Sequence, residues 1–385
     1  MSLKMKKIMI ALFALFLTVP AILTFLFLSP EAQPFSENEN RYLARFPKFS
    51  FDNITNKSFM EDFDEWLSDR FIGREDWILM KNKAESAIGK TEISGVFTYD
   101  DRMMEVWSGY NEELFQKNLE AMNNFASRHD DIPMYFMLVP NAQEIYSNLL
   151  PSVAVTGNQK TFIRDAYNSL TEFDGFIDAY SQLSNNKSDY IYYRTDHHWT
   201  SYGAYLGYVA ASSKLGFTAI DSGKFAIEHA SNDFRGTLFS KTLDKSVTPD
   251  VIDFYTLNEN EPKLTLSIIQ NDGTYKEYDS LYFREYLDKK DKYSVFTGPN
   301  AAIMHIETQL ENNDESIIIF KDSYAHAMIP FLTNHYSKIT VIDLRYLNVD
   351  FQNYVSLDDY DQVLFLYNVI TFSDDTDVKK LNICK

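Results

Sequence analysis

Ser316-Ile317-Ile318-Ile319-Phe320 is a short apolar run of the kind that lies buried on both faces of a parallel sheet. Such a strand needs parallel neighbours and layers of helix above and below it, and the rest of the chain carries the matching pattern. Further strands are predicted over 134–140, ended by Pro140, and over 175–179, 190–193, 339–344 and 363–367. Helices are predicted over 111–129, 161–172, 202–215 and 325–335, the third with Thr200 or Ser201 as its N-cap and Gly216 as its C-terminal glycine. A hairpin precedes them, 96–99 turning at Asp100-Asp101 into 103–107. Strands alternating with helices specify an α/β fold with a mostly parallel sheet and helices on both faces. Residues 221–300 depart from that rhythm, being strand-rich and full of turns, and predict an excursion of antiparallel strands within a domain over 91–385.

The N-terminus has a different character. Lys4, Lys6 and Lys7 precede residues 8–28, which carry no charge and are interrupted only by Thr18, Pro20 and Thr24. The run is longer than a usual signal h-region and close to the roughly 20 residues needed to span a bilayer. Lysines on the near side and Glu31 beyond place the N-terminus in the cytoplasm and the remainder outside it. Ser29-Pro30-Glu31-Ala32 is a poor small-x-small cleavage site, which favours an uncleaved anchor over 1–30 and leaves secretion as the outcome of cleavage. Between anchor and domain, 31–90 reads as a helical lead-in. Phe59, Phe63, Trp66 and Leu67 recur at helical spacing, Gly73 stops that helix, and a second helix over 77–88 closes at Gly89.

Composition excludes several functions. A net charge of −19 argues against nucleic acid as a partner, because phosphate neutralisation needs clustered Lys and Arg. The one cysteine, Cys384, rules out an intrachain disulfide and a CxxC metal or redox site. The load of 25 Tyr and 30 Phe suits a large core and, secondarily, carbohydrate-facing surfaces.

The densest chemistry lies in Thr195-Asp196-His197-His198-Trp199-Thr200, following the strand-like Tyr190-Ile191-Tyr192-Tyr193, and in Lys321-Asp322-Ser323-Tyr324, following the apolar run. Sites in α/β sheets form at the carboxyl ends of strands, and Asp196, His198 and Ser323 are all predicted there. A hydroxyl at a strand-to-helix turn plus an Asp-x-His pair is the raw material of a Ser-His-Asp hydrolase or transferase. In extended backbone adjacent side chains point opposite ways, so His198 is the partner of Asp196 and His197 is structural or a donor behind the pair. Ser323 also suits a helix N-cap, a role compatible with attack because the same N-terminus offers N–H groups to an oxyanion. Asp196, His197 and His198 could chelate a metal, but adjacent residues rarely hold one ion and no further His/Cys cluster completes the set. Trp199 reads as core, or as the wall of a sugar-binding cleft.

These residues carry a resemblance. Thr195-Asp196-His197-His198-Trp199 matches the motif that names the DHHW family of bacterial exported proteins. Further matching blocks are Phe35-Ser36-Glu37-Asn38-Glu39-Asn40-Arg41, Asp69-Arg70-Phe71-Ile72-Gly73-Arg74, Phe296-Thr297-Gly298-Pro299-Asn300 and Lys321-Asp322-Ser323-Tyr324. The family resembles a branch of the SGNH hydrolase superfamily, with its flavodoxin-like sheet, and is similar to the periplasmic alginate O-acetyltransferases. The resemblance implies Ser323 as nucleophile, His198 as general base and Asp196 as orienting carboxylate, with Gly298 and Asn300 as candidates for the oxyanion glycine and asparagine. It implies neither cofactor nor metal. The expected substrate is an acetyl group of a cell-surface glycan or its acyl donor, added or removed. The alternative is a catalytically silent glycan-binding or scaffold protein of polysaccharide assembly.

Overall fold

The apolar run becomes the innermost strand of an eight-stranded sheet. The structure, a computed structural model, describes residues 2–27, 35–36, 41–55, 57–152, 154–270, 272–347 and 350–382. Cys384, Ser29-Pro30-Glu31-Ala32 and residues 37–40 of the Phe35–Arg41 block lie outside those residues. The chain divides into two units, Met1–Ser94 with Ser240–Asp244, and Gly95–Phe239 with Lys245–Lys385.

In the larger unit the sheet strands are β1 (Met134–Val139), β2 (Gly175–Phe176), β3 (Leu264–Ile269), β4 (Tyr275–Tyr278), β5 (Ile303–Thr308), β6 (Ser316–Lys321), β7 (Lys338–Ile342) and β8 (Gln362–Asn368). Their spatial order is β4-β3-β5-β7-β6-β8-β1-β2. The run β7-β6-β8-β1-β2 is parallel throughout, and β5, β3 and β4 add an antiparallel edge. The expected excursion therefore splits in two. Part of it, β3 and β4, widens the main sheet, and part is a separate ribbon pairing Phe225–Phe234 with Asp250–Leu257.

Alternation along β6 shows why these residues must be strands. Ile317 and Ile319 join one core, with Val139, Val341, Leu364 and Leu366, while Ile318 and Phe320 join the other, with Phe136, Leu138, Phe365 and Tyr367. Burying each such side chain contributes about 1.5–3 kcal/mol, so a one-residue register slip would exchange two well-fitted faces. The second face is covered by α1 (Glu112–Arg128), which presents Phe115, Leu119, Met122 and Phe125 at helical spacing. Asn111 Oδ1 caps α1 by accepting from Leu114 N at 3.1 Å, and Glu112 and Glu113 sit favourably in its first turn. The first face is covered by α2 (Ser201–Leu215) and α3 (Ala325–Leu332).

Thr200 is the N-cap of α2, accepting from Gly203 N at 3.1 Å, and Gly216 ends the helix at φ 83°. Gly203 and Gly207 let this helix approach closely. A Cβ at Gly203 would meet the Ile191 carbonyl oxygen at 2.1 Å, and one at Gly207 would meet the Trp199 ring at 2.7 Å.

One predicted strand is absent. Residues 190–193 form a tight loop whose pairing is a single bridge, Tyr192 to Trp199, with Thr200 N donating to Ile191 O at 3.0 Å and Tyr193 N to His198 O at 3.2 Å. The aromatic run mimics a strand because Tyr192 and Tyr193 are wholly buried, and burial is what β-propensity largely measures.

In the smaller unit, helices Ser58–Asp69 and Arg74–Ala87 flank Gly73, which takes φ 67°. Trp66 packs edge-on against Phe46, with ring centroids 4.9 Å apart, and Asp69 Oδ2 accepts from Ala44 N at 2.7 Å. Helix Leu3–Phe27 is long and apolar enough to cross a membrane, reaching about 37 Å at 1.5 Å per residue against a core of about 30 Å.

We expect Gly203→Ala to destabilise the protein by about 1–3 kcal/mol through overpacking against Ile191. Urea unfolding followed by circular dichroism checks this, and an unchanged midpoint would contradict the close docking of α2.

Candidate active site

Three elements converge where the parallel strands end. β6 finishes at Lys321, and Asp322 then shapes the turn that carries Ser323. Its Oδ1 accepts from Tyr324 N at 2.8 Å, and its Oδ2 accepts from the N and Nδ2 of Asn368 at the end of β8, each at 2.6 Å. Burial pushes the Asp322 carboxyl up to about 6 against the opposing pull of Arg345 and these N–H donors. The Ser323 N–H makes no hydrogen bond among the described residues.

The second element is the loop bearing Asp196 and His198. It hangs on Asp250, a buried carboxylate of the ribbon, which accepts from Arg194 N at 2.6 Å, Thr195 N at 2.8 Å and Thr195 Oγ1 at 2.5 Å. The third element, Gly236-Thr237, follows the first ribbon strand, and Thr237 N and Oγ1 donate to Asp196 Oδ2 at 2.8 and 3.1 Å.

Together they align Ser323, His198 and Asp196. His198 Nδ1 lies 2.6 Å from Asp196 Oδ1, and His198 Nε2 lies 2.7 Å from Ser323 Oγ. Asp196 and His198 are 2% and 5% exposed, so water barely weakens their contact. The imidazole stacks on Tyr293 with centroids 3.7 Å apart and planes at 5°, while Tyr293 OH donates to Ser323 O at 3.2 Å. Burial alone would raise the Asp196 carboxyl, but His197, His198 and the Thr237 N–H more than offset it and hold the group ionised. Burial and the neighbouring His197 lower His198 to about 4 despite the Asp196 charge. The imidazole is therefore neutral at ordinary pH and can take a proton from Ser323.

His197 stands behind the pair. Its Nδ1 contacts Thr237 Oγ1 at 2.7 Å, which steadies a donor to Asp196, and its carbonyl accepts from Tyr324 OH. The ligand atoms of Asp196, His197 and His198 lie within 4.8 Å of one another. Asp196 and both ring nitrogens of His198 are engaged with one another, Thr237 or Ser323, and His197 Nδ1 with Thr237, an arrangement that serves proton transfer.

The other three predicted site residues make no hydrogen bond to the side chains of Ser323, His198 or Asp196 among the described residues. Trp199 is wholly buried, its Nε1 donating to Tyr324 O at 2.9 Å and its ring lying against Gly207, so it packs beneath the site and walls no cleft. Asn300 Oδ1 takes Lys321 Nζ at 3.1 Å and lies 2.9 Å from His326 Nε2, contacts that lead into the core behind β6. Gly298 takes φ 79°, and a Cβ there would meet the Phe283 ring at 3.4 Å.

Other residues at the strand ends escaped sequence reasoning. Lys321 is fully buried and pairs with buried Asp343 at 2.9 Å, which is also held by Arg345 Nη2 at 2.7 Å and Arg345 Nε at 2.9 Å. The signal was present, since Lys321 is the one charge at the end of an apolar strand and needs a buried partner. Tyr293, Thr237 and Asp250 gave no such signal, because each is brought in from the distant excursion.

The profile of the family described as DHHW protein matches residues 83–342, more than half of the chain. Among curated proteins no sequence matches. Among solved structures, a DHHW family protein from Eubacterium siraeum aligns at TM-score 0.67 and 22% identity, over 76% of this chain and 96% of that one. Bacillus cereus PatB1, solved with a sulfonyl adduct, aligns at 0.61 and 21%, over 74% and 98%. The O-acetyltransferase domain of Pseudomonas putida AlgJ aligns at 0.44 and 15%, over 74% and 95%. The fold is thus SGNH-like, a mostly parallel α/β sheet, with an apolar helix at the N-terminus.

Two outcomes follow for labelling of Ser323 by a fluorophosphonate. A Cβ at Gly236 would meet Asp196 Oδ2 at 2.1 Å, so Gly236→Ala should slow labelling about a hundredfold by displacing the carboxylate while leaving the circular dichroism spectrum intact. The rate should also rise with pH through the His198 transition at about 4, because only the neutral ring accepts a proton, and should be level by neutral pH. A rate limb centred near 7 would contradict a desolvated His198.

Proposed function

We propose that this chain, which belongs to the DHHW protein family, is an extracytoplasmic serine acyltransferase or esterase acting on acetyl groups of a cell-surface glycan. The observation that carries the reading is the unbroken relay from Ser323 Oγ through His198 to Asp196, with bonds of 2.7 and 2.6 Å.

The chemistry follows from those contacts. His198 Nε2 removes the hydroxyl proton as Ser323 Oγ attacks the acetyl carbonyl carbon, and Asp196 stabilises the imidazolium that results. The carbonyl oxygen becomes an oxyanion beside the Ser323 N–H, and a donor in that position is worth roughly 2.7–4 kcal/mol. Collapse breaks the bond to the leaving oxygen, which takes the proton from His198. Water or a sugar hydroxyl then attacks the acyl-serine with His198 again as base, giving acetate or a new acetyl ester. In the related fold of PatB1 a sulfonyl adduct has been observed, and a sulfonyl group is one that an activated nucleophile captures. The helix Leu3–Phe27 would hold the catalytic unit at the outer face of the membrane, where glycans are within reach.

A scaffold without chemistry would have no use for a neutral, stacked, carboxylate-oriented imidazole at hydrogen-bond distance from a serine. The test uses the full chain in detergent with an aryl acetate and a fluorophosphonate. Ser323→Ala, His198→Ala and Asp196→Asn should each abolish most turnover, and the triple variant should lose little more than one alone, because triad losses are strongly non-additive. His197→Ala should retain measurable turnover. Equal turnover in wild type and Ser323→Ala, or label on a peptide lacking Ser323, would sink the assignment.

A further inference from the structure

Away from Ser323, a cleft of about 600 Å³ opens between the outer strands β3 and β4 and the segment that follows β7. Its size lies within the range of small-molecule sites. Its lining brings together Tyr278, Phe283, Tyr286, Tyr346 and Tyr354 with the amide of Asn300. Tyr346 and Tyr354 are 48% and 40% exposed, so the cleft keeps two large aromatic side chains partly open to solvent. Each couples an apolar ring to a polar hydroxyl, the amphipathic surface that tyrosine offers to ligands with one apolar and one polar aspect.

We infer that this cleft is a saccharide-binding subsite that holds an uncharged glycan chain leading to Ser323. The C–H face of a pyranose ring stacks on a phenol face, and its hydroxyls exchange hydrogen bonds with the tyrosine hydroxyls and the Asn300 amide. A lipid chain would leave those polar groups desolvated and unpaired. The ionic lining is balanced, with Lys276 against Glu285, and a chain of net charge −19 repels a polyanion. Both facts point to a neutral saccharide.

The cleft is also tied to the acyl-transfer residues. Asn300 Nδ2 donates to Tyr346 OH at 3.4 Å, and the Arg345 guanidinium lies 5.7 Å from the centre of the Tyr346 ring. The same Asn300 accepts from Lys321, two residues before Ser323, and meets His326, three residues after it. Arg345 Nη2 also donates to Asp343 Oδ2, the same oxygen that Lys321 Nζ bonds. Asn300 and Arg345 thus join the wall of the cleft to the end of β6, the strand that Ser323 follows. The role of the cleft in delivering an acceptor rests on the acyl-transfer reading, whereas saccharide binding does not.

The experiment titrates the full chain in detergent with three hexasaccharides: the N-acetylglucosamine hexamer, a xylose hexamer and, as the anionic probe, a galacturonate hexamer. At least one neutral hexamer should bind. Tyr346→Ala combined with Tyr354→Ala should weaken it about tenfold or more, as loss of aromatic anchors does, with the melting temperature unchanged because both side chains are substantially exposed. The paired Tyr→Phe variant, which keeps the stacking faces, should retain most of the affinity and guards against a folding artefact. Absence of binding by both neutral hexamers, equal affinity in the alanine pair, or binding of the galacturonate hexamer alone would overturn the proposal. Fluorophosphonate labelling of Ser323 in the same samples separates the two readings. Labelling without saccharide binding removes the cleft alone, and saccharide binding without labelling removes the serine chemistry alone.

Discussion

The Asp322 carboxylate is the fixed point from which the site is built. One oxygen bonds the backbone of Tyr324 and the other bonds both the backbone and side chain of Asn368, so a single buried anion joins the ends of β6 and β8 and forces the turn that presents Ser323. A buried carboxylate survives only when its lone pairs are satisfied and opposite charge is near. Lys321 and Arg345 supply that charge, and their own excess is held by Asp343. Two carboxylates and two cations therefore balance within the ends of adjacent parallel strands. Removing one member would leave an unpaired buried charge, which is why the set reads as one unit rather than as separate ion pairs.

On this base the imidazole is positioned from the opposite side. The loop holding Asp196 and His198 has no strand ladder to support it, and its order comes from side chains instead: Asp250 beneath Thr195, Thr237 on Asp196, Tyr293 on the face of His198. All three supporting residues come from the excursion between α2 and β5. That segment, which interrupts the α/β rhythm, is therefore what completes the acid–base pair, and its widening of the sheet by β3 and β4 also builds one wall of the aromatic cleft. Support by rigid packing rather than by a flexible loop suits a nucleophile whose geometry must hold within fractions of an ångström.

The alternation of strands and helices was legible in the chain because burial on two faces demands long-lived patterns, and β1, β6, β7, β8, α1 and α2 sit close to where periodicity and capping residues put them. The pairing of Asp196 with His198, rather than with His197, was legible too, since side chains two apart share a side. Residues 190–193 misled because wholly buried tyrosines look like a strand whether or not they join a ladder. Trp199 misled in its secondary reading, for a ring that fits against Gly207 has no surface left to face a sugar.

What the amino-acid sequence determined by itself was local and periodic: most of the segments that are strands or helices, where α2 is capped, and which serine and which histidine stand at chain positions able to do chemistry. Only the tertiary structure decided which distant residues support them. Asn300 stood out by its place in a motif, and folding decided its partners, Lys321, His326 and Tyr346. Tyr293 carried no motif at all, yet folding lays its ring on His198. The reason is physical. Periodicity and capping are set by neighbours along the chain, whereas hydrogen-bond partners of a buried group are set by whatever the sheet order brings within 3 Å, and no spacing in the sequence encodes that.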